Sequence, residues 1–226
     1  MAAVGAAGIA LVLVAAMTTT ARVGVDYEVH ERSLPLYQKV IAFLHRDIEM
    51  RALAGSIVAG MTDPEARALR LLEWTARNIR PVPPGLPVID DHPYSIVVRG
   101  YGTDDQAATV LASLAAYSGL AALRAFAPNG TGGHHAFVAI TIDGDWRIFD
   151  ARGVAFRAPD GRLASASALR ADPRLAEAAG ADNGPAGPAY PELVARIDLS
   201  QAKSVTDHMP LERLGREIRR LLRLSD

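Results

Sequence analysis

Apolar residues recur along this chain with more than one period. Positions 2–21 hold no charged residue and are rich in Ala, Val, Leu and Ile. A bilayer-spanning helix needs roughly 20 apolar residues, so this stretch predicts an anchor or a signal segment. Residues 22–33 are polar and mixed and read as a short linker. Over 36–59, Leu36, Val40, Phe43, Leu44 and Ile48 fall at helical spacing. Thr62-Asp63-Pro64-Glu65 predicts a helix start, with Thr62 as cap, Pro64 in the first turn and Glu65 reaching back. That helix carries Leu69, Leu72, Trp74 and Ile79 and should end before Pro81. Residues 81–93 are Pro-rich and predict an extended loop. Ile96-Val97-Val98 predicts a short strand before the Gly100-Tyr101-Gly102 turn.

The middle of the chain gives the clearest pattern. Residues 103–117 predict a helix opened by a Thr103-x-x-Gln106 capping box and closed at Gly119. Residues 120–127 and 134–142 predict strands separated by the Gly-rich turn 129–133. Asp143-Gly144 is a hairpin signal, and 145–150 is the return strand. Trp146 and Phe149 read as core packing. Residues 158–190 are rich in Ala, Gly and Pro with little apolar period. Residues 210–224 predict an amphipathic helix with Leu211, Leu214, Ile218, Leu221 and Leu222 on one side and five arginines on the other. Packing is the favoured role of that helix, ahead of contact with anionic lipid.

Four segments follow: 1–21, the hydrophobic segment; 22–60, linker and N-terminal helix; 61–156, the central core; and 157–226, the Ala/Gly/Pro-rich region with the C-terminal helix. The order of helices and antiparallel strands predicts an α+β class. No Lys or Arg precedes Arg22, and Thr19-Thr20-Ala21 is a poor cleavage site. An uncleaved anchor is therefore favoured over a cleaved signal peptide. A buried N-terminal helix or a misassigned start codon is the other reading of that stretch. Either export reading places the main domain outside the cytoplasm, with the membrane as a partner through the N-terminal segment.

Composition removes several classes. With 24 basic and 25 acidic residues, the formal charge of −1 gives no electrostatic case for nucleic acid. The chain contains no cysteine, so it has no disulfide, no thiolate ligand and no thiol nucleophile. Gly130–Gly133 lacks the Lys of a phosphate loop. Asn129-Gly130-Thr131 fits a glycosylation sequon, a tripeptide that is common by chance. Asp104, Asp105, His135 and Asp150 form an oxygen-rich set without tight metal-ligand spacing, so no metal and no cofactor is expected.

The run GYGTDDQ, followed by HHAFV and by WRIFD, resembles the transglutaminase-like superfamily, a papain-like group of thiol acyl-transferases and peptidases. The resemblance covers roughly residues 65–152. It implies a papain-like core in which a helix packs on a small antiparallel sheet. In the family the helix opens with G-x-C, often followed by D-Q. Here Gly102-Thr103 leads to Asp104, with Asp105-Gln106 after it. The resemblance thus puts Asp104 at the nucleophile position, His135 at the base position and Asp150 at the orienting position.

A papain-like site needs a thiolate at a helix N-terminus, a His to take its proton and a carboxylate to orient that His. Asp104 keeps the negative charge but is a poor nucleophile, its basicity lying about four to five pK units below a thiol's. Taken alone, Asp104, Asp105 and Gln106 are ordinary first-turn residues. The expectation is that Asp104, His135 and Asp150 converge, with Asp104 within reach of His135 and the imidazole between two carboxylates. Strand alternation allows only one of His134 and His135 to face the helix, and the motif favours His135. Tyr101, Gln106 and His134 are the candidate binding residues. Three functions are open. The leading one is a non-catalytic domain binding a peptide, a protein or a cell-surface polymer. The alternative is a peptidase- or amidase-like hydrolase using Asp104 or a bound metal with His135 and Asp150. The third is a structural envelope component.

Overall fold

The computed structural model describes residues 17–90, 92–130, 132–177, 189–205, 209, 211–212 and 215, with Asp90 described by its backbone alone. Most of the expected helix at 210–224 and residues 1–16 of the apolar segment lie outside these. No helix among the described residues is long and apolar enough to cross a membrane.

Residues 18–35, read in part as a linker, form an antiparallel hairpin: β1 (Thr18–Val25) and β2 (Glu28–Pro35). Its two turn residues, Asp26 and Tyr27, both have positive φ, 48° and 68°. This is a two-residue turn of the hairpin-favouring kind built without glycine, so its usual sequence signal is missing. The short strand β3 (Ile89–Asp90) extends β1. Helix α1 (Leu36–Ile57) follows directly. It buries Phe43, Asp47, Met50 and Ala54, a stripe spaced by four, three and four residues. Asp47 accepts a hydrogen bond from Tyr117 at 3.0 Å and one from Arg51 at 3.1 Å, so this buried carboxylate is partnered on both oxygens.

Helix α2 (Pro64–Asn78) is capped by Asp63, whose carboxylate accepts from the Ala66 N–H at 2.7 Å, rather than by Thr62. Residues 93–99 correct the expected strand: they form helix α3 (Pro93–Arg99). His92 caps it, Pro93 fits its first turn, and Gly100 ends it in the left-handed region at φ 74°. These end signals outweigh the β-branched run Ile96-Val97-Val98.

Helix α4 (Asp104–Tyr117) has the full capping box between Thr103 and Gln106. Every residue from Gln106 to Ala115 is buried, which makes α4 the core helix. It packs on a five-stranded antiparallel sheet of order β7-β6-β5-β4-β8. These strands are β4 (Ala122–Pro128), β5 (His134–Ile142), β6 (Asp145–Asp150), β7 (Val154–Ala155) and β8 (Lys203–Ser204). Asp143 and Gly144, at φ 53° and 83°, close the β5–β6 hairpin as expected.

Alternation along β5 divides the interior into two layers. Ala136, Val138, Ile140 and Ile142 pack with Ala107, Val110, Leu111 and Leu114 of α4. Phe137 and Ala139 point the other way, against Phe156, Leu169, Tyr190 and Val194. The second layer is supplied by α5 (Ala166–Ala171), α6 (Tyr190–Ala195) and the 3-10 turns Pro173–Ala176 and Leu199–Gln201. The described residues from 163 to 204 therefore pack on the central sheet, and β8 adds a strand to it. The class is α+β, a helix on a small antiparallel sheet with helices on either side.

Candidate functional site

The site lies where the N-terminus of α4 meets the ends of β5 and β6. The Gly100-Tyr101-Gly102 turn fixes that terminus: Arg80 and Gly100–Gly102 exchange backbone hydrogen bonds at 3.1 and 2.9 Å. Gly102 has no room for a side chain, because an added Cβ would stand 2.8 Å from the Gln106 Oε1 and 3.0 Å from its Cβ. Gly102→Ala is expected to break the capping box and cost about 1–3 kcal/mol, read as a lowered urea midpoint with an unchanged slope.

His135 and Asp150 come together as the sequence implied. The His135 Nε2 lies 2.7 Å from the Asp150 Oδ2. Asp150 is 2% exposed and accepts two further hydrogen bonds, from the Tyr190 hydroxyl at 2.8 Å and from the Arg152 N–H at 2.8 Å. Burial by itself would raise the Asp150 carboxyl. The hydrogen bonds from His135, from the Arg152 N–H and from Tyr190, with the nearby imidazole charge, outweigh it and hold the carboxyl below the usual carboxylate range. The His135 ring also packs on Phe137, at 4.7 Å between centroids, and edge-on to Tyr190 at 6.1 Å.

Asp104 does not pair with His135. Its Oδ1 takes the Nε–H of Arg152 at 2.7 Å. The same guanidinium donates to the Ile79 carbonyl at 2.8 Å and the Gly102 carbonyl at 3.0 Å. One planar fork thus ties the end of α2, the glycine turn and the start of α4 to the end of β6. The expected imidazole between two carboxylates is therefore not formed. The register explains why: His135 shares the Phe137 face of β5, and His134 lies on the α4 face.

Asp105 pairs with Arg124 of β4 at 3.1 Å, and Arg124 also donates to Thr109 at 2.7 Å. Asp104 and Asp105 are thus drawn to opposite sides. Among the described residues, no group of three or more His, Asp or Glu side chains gathers as metal ligands. Gln106 is consumed by structure: its amide serves the capping box and donates to the Ile89 carbonyl. Tyr101 is half-buried under the Arg99 guanidinium, 5.2 Å from its ring centre. His134, the third candidate binding residue, lines open space. It borders a cleft of about 610 Å³ with Asp105, Phe126, Pro128, Arg196 and Lys203.

Arg152 and Tyr190 were not legible as site residues. Arg152 follows the motif by two positions, yet its ion pair spans 48 residues. Tyr190 comes from the segment without apolar periodicity.

Neither a family model nor a curated protein matches the chain. Solved structures do match. A protein of Cytophaga hutchinsonii described as a cysteine protease is 16% identical, with a TM-score of 0.39 over 47% of this chain and 37% of that one. A TGase is 14% identical, with a TM-score of 0.39 over 70% of this chain and 50% of that one. Legionella pneumophila LapG is 15% identical, with a TM-score of 0.33 over 58% and 68% of the two chains. The chain spans 37% and 50% of the first two, well under their full lengths. The chain's own residues carry the resemblance to the transglutaminase-like, papain-like superfamily: a glycine turn into the core helix, a His strand, and a hairpin strand ending in the Asp that holds the His. By that resemblance, Asp104 falls at the position of the family's cysteine.

Proposed function

We propose that this chain is a non-catalytic transglutaminase-like domain that binds a peptide, a protein or a cell-surface polymer beside its former active site. The observation that carries this reading is the Asp104–Arg152 ion pair at 2.7 Å, in a chain without cysteine. A carboxylate at this position is a weak nucleophile toward amides. Its pairing with a guanidinium that also holds two main-chain carbonyls weakens it further. The His135–Asp150 pair supplies an oriented imidazole, while Asp104 at the helix N-terminus is engaged by Arg152 instead. The same facts count against the hydrolase reading, which needs a free Asp104 or a ligand cluster. The apolar N-terminal segment supports placing the domain outside the cytoplasm and tethered to a membrane.

The test pairs turnover with retention. A mixed peptide pool and insoluble peptidoglycan are each incubated with the purified chain and followed by mass spectrometry. The expected result is retention of at least one of them with intact mass and no adduct on the protein. Hydrolysed or cross-linked products, or a covalent acyl adduct, overturn the non-catalytic reading. Retention of neither overturns the binding reading.

A further inference from the structure

The cleft beside α4 has a charge layout that narrows its ligand. Its two carboxylates are already engaged. Asp105 is paired with Arg124 at 3.1 Å. Asp198 accepts from the Ser200 hydroxyl at 2.7 Å, the Ser200 N–H at 2.9 Å and the Gln201 amide at 3.2 Å. Its cations and donors are less engaged. Among the described residues, neither the Lys203 ammonium nor the His134 ring has a hydrogen-bond or ion-pair partner. Arg196 donates to the Pro128 carbonyl at 3.2 Å and meets Glu192 only at 3.6 Å on an exposed surface. Neutral donors leave the Asp198 charge in place, but the Arg170 guanidinium lies near enough to offset it, as Arg124 offsets Asp105, which leaves Arg196 and Lys203 as the cleft's cations for a ligand.

The sheet register spaces these groups. His134 of β5 stands opposite Pro128, and Lys203 of β8 stands opposite Arg124. The two are therefore separated by two strand spacings of about 4.8 Å and by four residues along β4 at about 3.3 Å each, a diagonal of about 16 Å. Phe126 lies between them on the same face, two residues from each register point. A donor pair at one end, an aromatic wall in the middle and an ammonium at the other end fit one kind of ligand.

We propose that this cleft binds an extended acidic peptide, with two carboxylate side chains about four to five residues apart and an apolar residue between them. One carboxylate meets His134 and Arg196, the apolar residue covers Phe126, and the second carboxylate meets Lys203. Charge-assisted hydrogen bonds at the two ends fix orientation, and the buried centre supplies contact area. This rests on the binding function proposed above and adds the ligand class.

Fluorescence anisotropy of the full chain with labelled Glu-Thr-Phe-Thr-Glu tests it, beside the same peptide with Gln or Lys at both ends. The Glu peptide is expected to bind at least about tenfold more tightly than the Gln peptide and to weaken as salt rises. Lys203→Glu, at an exposed position, is expected to reduce its affinity about tenfold at unchanged melting temperature, and Lys203→Arg to retain it. Equal affinity for the Glu and Gln peptides overturns the acidic class. If that shared binding is lost in Phe126→Ala, the cleft still binds peptides and the proposed function survives the failure. Insensitivity to Lys203→Glu, or capture of heparin with no peptide bound, also overturns the proposal. Cleavage of the peptide would instead sink the non-catalytic reading, whatever the ligand preference.

Discussion

Asp150→Ala is expected to destabilise the chain by about 3 kcal/mol in urea unfolding at pH 7. The carboxylate sits 2% exposed and serves three donors: the His135 ring, the Tyr190 hydroxyl and the Arg152 N–H. Removing it takes away the acceptor at 2.8 Å from the Tyr190 hydroxyl in the second core layer, where Tyr190 itself is 2% exposed. A buried donor that loses its acceptor costs about 1–3 kcal/mol, and here the Arg152 N–H and the His135 ring lose theirs as well. Asp150→Asn keeps an acceptor oxygen of the same shape and is expected to lose about half as much. Equal stability of the Ala variant and the parent chain would show that this node does not hold the α6 layer to the sheet.

The same residue sets an acid limit. Its folded-state carboxyl is held below the ordinary range, so the ionised form is favoured by folding. Such a group contributes fully above the unfolded carboxylate value of about 3.9, and the contribution is lost as pH falls through the lower folded value. The stability gap between the parent chain and Asp150→Ala should therefore shrink as pH falls below about 4. A gap that widens as pH falls from about 4 to 2 would contradict the direction of the shift.

Why Asp150 was legible and its partners were not follows from the range of each signal. The capping box at Thr103 and Gln106 and the Asp143-Gly144 turn act within a few residues, and both formed as expected; strand β5 formed too, but with His134 rather than His135 on the α4 face. The hairpin at 18–35 lacks its usual sequence signal because Asp26 and Tyr27 take positive φ without glycine. The strand expected at 96–98 rested on β propensity, and the helix-end residues His92, Pro93 and Gly100 decided against it. The second core layer draws Phe156, Leu169, Tyr190 and Val194 from short elements, none long enough to show a period. The motif likewise located Asp104, His135 and Asp150 but gave no sign of Arg152, whose ion pair with Asp104 depends on tertiary closure. Once a guanidinium stands beside position 104, a carboxylate there pairs with it rather than with the imidazole.

Asp104→Cys reads that electrostatic setting directly. The substituted thiol would open a 14-residue helix with the Arg152 guanidinium beside it. Helix N-termini and neighbouring cations both favour the thiolate. The pH midpoint of its alkylation by iodoacetamide is expected at least one unit below the free-thiol value of about 8.5. A more acidic thiolate is also intrinsically less nucleophilic, with a Brønsted slope of about 0.4–0.5, so the rate gain near neutral pH is modest. At pH 5.5 the gain in thiolate fraction dominates, and the variant should react several-fold to about tenfold faster than a cysteine-containing model peptide. Two second-site changes identify the cause. Adding Arg152→Ala should move the midpoint back up, because it removes the adjacent cation. Adding His135→Ala should leave it in place, because the His135 ring is held by Asp150 on the Phe137 side of β5. Loss of the acidic midpoint on removing His135, with no effect from removing Arg152, would mean that the family's Cys–His geometry persists here and that the Asp104–Arg152 pair does not govern the site.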